Sequence, residues 1–187
     1  FGTALLDTDG SGTFWKWNET DGTSLKANFP ALILGGDPNG VHVDSQGNVY
    51  GIEMIRQFLW RWSDATGPAP QKVADVETPL VGFVTFGGVV GDDNGNVFGF
   101  TKLGASGTAG GLWRWNALSG LVKVGAFGTA LVPGNATGHI ARDPESGAIW
   151  GTTEQISGTK KIIHLWRWTS ALGLRKVATL PSADGEG

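Results

Sequence analysis

The chain has 187 residues, 40% of them hydrophobic, and a formal net charge of −3, which suits a folded chain with its own core and excludes a disordered one. Its 14 Lys and Arg are scattered along the sequence, so the clustered basic face that nucleic acid requires is not expected, and no segment approaches the length of a membrane span, so membrane insertion is not expected either. With no cysteine there is no disulfide framework, and 31 glycines beside nine Trp and nine Phe indicate many short strands and tight turns.

In chain order, Phe1-Gly2-Thr3 opens as a strand in which an aromatic residue precedes glycine. A loop, Asp7-Thr8-Asp9-Gly10-Ser11-Gly12-Thr13, then places oxygen-bearing side chains at alternate positions around a glycine. That pattern begins like an EF-type calcium loop, with Asp7, Asp9 and Ser11 as ligands for Ca2+. Asn18 stands where such a loop needs Glu, and an ordinary Asp/Gly turn has the same composition.

Next comes Phe14-Trp15-Lys16-Trp17. Side chains alternate along a strand, so both tryptophans share one face and the lysine shares the other with Phe14. A polar turn, a strand marked by Lys26 and a segment Gly40-Val41-His42-Val43-Asp44 follow, and Gly47-Asn48 turns into Tyr50-Gly51, where the series starts again.

The series recurs. Aromatic-glycine strands reappear at Tyr50-Gly51, Phe98-Gly99 and Trp150-Gly151, and Trp-basic-Trp strands at Trp60-Arg61-Trp62, Trp113-Arg114-Trp115 and Trp166-Arg167-Trp168. Lysine strands recur at Lys72, Lys123 and Lys176, and the fourth segment recurs at residues 88–92 and, more loosely, 138–143. Four short antiparallel strands repeated at about fifty residues predict an all-β fold, a β-propeller of four-stranded antiparallel blades, in a single domain over residues 1–187. The competing β-solenoid lacks such hairpin turns.

The units read as residues 1–49, 50–97, 98–149 and 150–187, and the last lacks a fourth strand. About four repeats with one incomplete are consistent with a segment of a larger propeller, or with a small ring that closes by mixing its first and last strands.

The tryptophans that recur in every copy are assigned to packing, because core positions must repeat while ligand positions need not. The second of each pair, Trp17, Trp62, Trp115 and Trp168, lies nearer a turn and is the one open to a sugar ring. His42 and His139 fall in fourth segments beside Asp44 and Arg142, where an axial channel would run; acid–base chemistry is one reading and scattered channel polarity the other. The most variable connections, residues 103–111 with Thr108 and 155–163 with Lys160 and Lys161, read as loops on one rim and form the expected partner site for a glycan or protein.

The run His164-Leu165-Trp166-Arg167-Trp168 with Gly173-Leu174 and Val177-Ala178-Thr179-Leu180-Pro181, and Asp44-Ser45-Gln46-Gly47-Asn48-Val49-Tyr50-Gly51, resemble bacterial tandem repeats of the HAF type and those with a Gly-Asn-hydrophobic-aromatic-Gly-Thr core. The Asp-x-x-Gly turn is also similar to that of tachylectin-like propellers, which bind amino sugars. The resemblance implies an extracellular or cell-surface bacterial recognition protein, with no catalytic residues to carry over; the Trp-basic-Trp strand departs from the tachylectin pattern. The alternatives are a hydrolase or lyase at the axial channel, and an assembly module that self-associates through its incomplete blade.

Overall fold

The computed structural model describes residues 2–4, 12–29, 38–53, 57–67, 69–76, 83–84, 88–103 and 110–180. These form antiparallel strands and one 3-10 turn at Asp64–Thr66, with no α-helix among the described residues. The first sheet comprises β1 (Gly2–Ala4), β2 (Gly12–Asn18) and β3 (Gly22–Phe29), in that order. The second comprises β4 (Pro38–Val43), β5 (Val49–Glu53), β6 (Phe58–Trp62) and β7 (Gln71–Asp75).

In the third sheet β8 (Phe83–Val84) and β9 (Val90–Gly91) both pair with β10 (Val97–Leu103), which is followed by β11 (Gly111–Asn116) and β12 (Gly120–Ala126). Because β8 pairs at Thr101 and Leu103 and β9 at Val97 and Phe98, the two share one lane of the sheet. The fourth sheet is β13 (Asn135–Arg142), β14 (Ile149–Ser157), β15 (Lys160–Thr169) and β16 (Gly173–Leu180). Consecutive sheets touch through their leading strands, β1 with β4, β4 with β9, and β9 with β13. These are successive up-and-down blades, as the β-propeller expectation requires.

Each blade is built around one cross-strand pair. The glycine of the aromatic-glycine strand lies opposite the first tryptophan of the next strand: Gly2 with Trp15, Gly51 with Trp60, Gly99 with Trp113, Gly151 with Trp166. In the third and fourth sheets the indole lies over the glycine. A methyl group on Gly99 would stand 2.2 Å from Trp113 Cζ2, and one on Gly151 would stand 2.3 Å from Trp166 Cζ2, both inside van der Waals contact. Trp60, Trp113 and Trp166 are consequently at most 1% exposed.

Blade-to-blade packing joins unlike faces. The tryptophan face of the third sheet (Trp113, Trp115) packs on Tyr50, Ile52 and Leu59 of the second, and that of the fourth (Trp166, Trp168) packs on Phe98, Phe100 and Leu112 of the third. Tilted ring pairs cross each seam, Tyr50 with Trp115 at 5.9 Å and Phe98 with Trp168 at 5.1 Å. The tryptophan face of the first sheet has no preceding sheet among the described residues, and Trp17 is 55% exposed there.

Three expectations need correction. The sheets are phased one strand earlier than the repeat reading: the segment Pro38–Val43 leads its sheet instead of closing the previous one. The C-terminal sheet therefore has its four strands, and the three-stranded sheet among the described residues is the first. Residues 155–163 do not form a rim loop either. They extend a hairpin whose register runs through Gln155↔Ile162, Ile156↔Lys161 and Ser157↔Lys160, turned at Gly158 with φ of 61°. Ile162 and Ile163 carry the strand pattern outward, and Lys161 pairs with Glu154 at its base.

A methyl group at Gly99 has no room while the indole is in place. We expect Gly99→Ala to destabilise the fold by about 1–3 kcal/mol and Trp113→Ala by about 3–5 kcal/mol. In a double-mutant cycle by chemical denaturation, the pair should cost clearly less than the sum, since removing the ring removes the clash.

Candidate recognition cleft

The site grows out of the turn that joins the first two strands of each blade. In the second sheet the Asp44 carboxylate caps this turn: Oδ1 accepts from the backbone N–H groups of Gln46 and Asn48, each at 2.9 Å, and Oδ2 from Asn48 Nδ2 at 2.7 Å. Asp92 repeats the pattern on Asn94 and Asn96. Both turns need a left-handed residue to close, and Gly47 and Gly95 supply φ of 81° and 75°. In the fourth sheet the turn is one residue longer, Ala148 replaces the asparagine, and the Ser146 hydroxyl bonds Asp143 instead.

The two asparagines differ in what they hold. Asn48 Oδ1 accepts from Arg61 Nε at 3.2 Å and Nη2 at 2.9 Å, fixing the guanidinium beside the turn. Asn96 Oδ1 accepts from Asn116 Nδ2 at 2.9 Å. Asn116 Oδ1 in turn caps its own turn through the N–H groups of Leu118 and Ser119.

Together these turns enclose a cleft of about 380 Å³ between the second and third sheets. Its floor is the Tyr50–Trp115 pair; its walls are Asp44, Arg61, Asp92, Asp93, Asn94 and Asn116. Burial, together with the charge of Asp44 to which its hydroxyl is bonded, pushes the Tyr50 phenol up, so it remains a neutral hydrogen-bonding group. Three carboxylates against one guanidinium leave the cleft net negative. It is therefore arranged for a neutral or cationic polar molecule, with donors and acceptors on its walls and an apolar floor.

Of the ligand-binding candidates singled out in the sequence, Trp115 borders this cleft, together with Asp44, the acid noted beside His42. Trp62 is 3% exposed and Trp168 8%, both on tryptophan faces, so they are packing residues rather than open sugar platforms; Trp17 is the exposed exception. Asp7, Asp9 and Ser11 lie outside the described residues, as does Thr108. Among the described residues no group of acids and histidines is placed to hold a metal.

His42 and His139 occupy different levels of their blades. His42 pairs with Tyr50, a level equivalent to Ala141 with Trp150, whereas His139 falls within the irregularity between Thr137 and Ala141. The His42 ring lies against the next blade, so close that a methyl on Gly91 would stand 2.2 Å from its Nε2. Its burial there pushes the imidazole pKa below the ordinary 6.5, a shift the nearby Asp44, Asp92 and Asp93 oppose and Arg142 reinforces. Arg142 reaches Asp93 at 3.5 Å.

No family model matches the sequence, and no curated protein matches it. Among solved structures the chain is similar to a luciferin-regenerating enzyme, with a TM-score of 0.56 and 13% identity over 90% of this chain and 54% of the other. The chain thus spans about half the length of that structure, which is a β-propeller. At such identity the likeness carries the fold alone, and the fold is the one the repeat predicts.

Because the folded state favours neutral His42, the unfolded chain takes up its proton first, at the ordinary 6.5. Stability contributed by the neutral ring is complete above that value and is lost as pH falls below it. His42→Asn should therefore lose less stability than the parent between about pH 7.5 and pH 5.5 when denaturation midpoints are compared.

Proposed function

We propose that this β-propeller is a non-enzymatic recognition protein that binds a neutral or amino-bearing glycan in the cleft between its second and third sheets. The observation that carries this reading is the cleft itself, where Arg61, Asp93, Asn94 and Asn116 stand around the Tyr50–Trp115 floor. Sugar hydroxyls are matched by such a mixture of carboxylate, amide and guanidinium groups. The negative balance of the walls favours an amino group and disfavours sulfated or uronic sugars. The resemblance to extracellular repeats and amino-sugar-binding propellers supports the same reading and an exported, surface-exposed protein.

The principal alternative, an enzyme at the axial channel, draws less support. His42 is packed on the neighbouring blade and no hydrogen bond or ion pair joins it to His139 among the described residues. Calcium at Asp7, Asp9 and Ser11 remains a separate proposal, tested by melting the protein with and without a chelator.

Calorimetry against a panel of neutral, amino and acidic sugars checks the glycan reading. The expected result is binding of neutral or amino sugars that weakens about tenfold or more in Arg61→Ala, which removes charge-assisted hydrogen bonds. Acidic sugars binding best, or no sugar binding to the intact protein, contradicts it.

A further inference from the structure

The basic residue between the tryptophans occupies the same place in the second, third and fourth sheets, where Arg61, Arg114 and Arg167 lie opposite Tyr50, Phe98 and Trp150. Their surroundings treat them differently. Arg61 has its Nε and Nη2 bonded by Asn48. Arg114 Nε and Arg167 Nε are buried without a hydrogen-bond partner, the Arg167 guanidinium resting 5.6 Å from the Trp150 ring.

Two positions account for the difference. The first is the residue that ends the turn between the first two strands of the blade: Asn48, Asn96 and Ala148. Asn48 is buried, and its amide points one way only, because Nδ2 donates to the Asp44 carboxylate at 2.7 Å and Oδ1 is thereby turned to Arg61. Reversing the amide would set its NH2 group against the guanidinium and its oxygen against the carboxylate. Ala148 offers no acceptor to Arg167.

The second position is the residue that follows the second tryptophan: Ser63, Asn116 and Thr169. Asp92 orients Asn96 as Asp44 orients Asn48, but Asn116 Nδ2 donates to Asn96 Oδ1 at 2.9 Å. The oxygen that would hold Arg114 is taken. In the second sheet the shorter Ser63 stands there, and Asn48 Oδ1 bonds Arg61.

These bonds continue to the cleft floor, since Asp44 also accepts from the Tyr50 hydroxyl. Tyr50, Asp44, Asn48 and Arg61, all of which line the cleft, form one hydrogen-bonded chain. Of the five N–H donors of a guanidinium, Asn48 engages those on the Nε and Nη2 edge, and the Nη1 donors stay available to a ligand. A charged donor fixed in advance need not be ordered when the ligand arrives.

We propose that Asn48 is the positioning residue of the recognition cleft: held by Asp44, it fixes Arg61 so that Nη1 donates to oxygen atoms of the bound glycan. The residue after the second tryptophan decides which seam carries a fixed arginine, Ser63 permitting it and Asn116 preventing it. The proposal rests on the glycan reading of this cleft.

NMR of the arginine Nε–Hε groups in the full chain tests the arrangement without a ligand. Arg61 Hε should lie downfield and exchange slowly with water in the parent, and exchange about tenfold or more faster in Asn48→Ala. Alanine stands at the same position of the fourth sheet, so a blade accommodates it. In Asn116→Ser, Arg114 Hε should move downfield as Asn96 Oδ1 takes it up. Calorimetry with glucose and glucosamine tests the consequence: Asn48→Ala should bind about 3- to 10-fold more weakly than the parent, the cost of ordering one long side chain. Adding Asn48→Ala to Arg61→Ala should weaken binding no further. An Arg61 Hε signal unchanged by Asn48→Ala, or an Asn48→Ala penalty that persists in full without Arg61, overturns the proposal. Failure of both sugars to bind the parent counts against the glycan reading instead, and the arginine signals then decide the role of Asn48 by themselves.

Discussion

The fold depends on an indole lying over a glycine. In every described sheet the first tryptophan of the Trp-basic-Trp strand pairs across from a glycine, and in the third and fourth the backbone comes close enough to the ring that no side chain fits between. The ring shields a stretch of backbone that glycine alone would leave poorly packed, and the glycine lets a large apolar surface lie flat in the sheet. Once that ring is flat, the tryptophan face is smooth enough to accept the aliphatic and aromatic residues of the preceding blade. Blade stacking follows from this pair, and so does the direction in which blades add.

The same constraint leaves few positions free to specialise. Residues on the tryptophan face are committed to packing, and so are the Leu and aromatic positions that meet them. Variation is left to the turns at the blade edges and to the basic residue between the tryptophans. That residue is anchored by Asn48 in one blade and faces a second arginine in another. A recognition site at a seam, built from two turns and one such arginine, is therefore where this architecture can most easily acquire chemistry.

The blade count and the buried face were legible in the sequence because Trp15, Trp60, Trp113 and Trp166 recur about every fifty residues, each following an aromatic-glycine step at Gly2, Gly51, Gly99 or Gly151. The phase was not. A repeat has no intrinsic first strand, and only the pairing of His42 with Tyr50 in one sheet shows that β4 leads a blade. The equivalence drawn between His42 and His139 failed for a related reason, since a local irregularity shifts the register of β13 and no side-chain pattern announces it. Residues 155–163 were misread because polar Gln155, Ser157, Lys160 and Lys161 are as suited to an exposed hairpin as to a loop.

The cleft was hidden because it belongs to no single repeat. Its signal was present, however: complete Asp-x-x-Gly-Asn turns occur at Asp44 and Asp92 but not at Asp143, and the cleft lies between the two blades that have them.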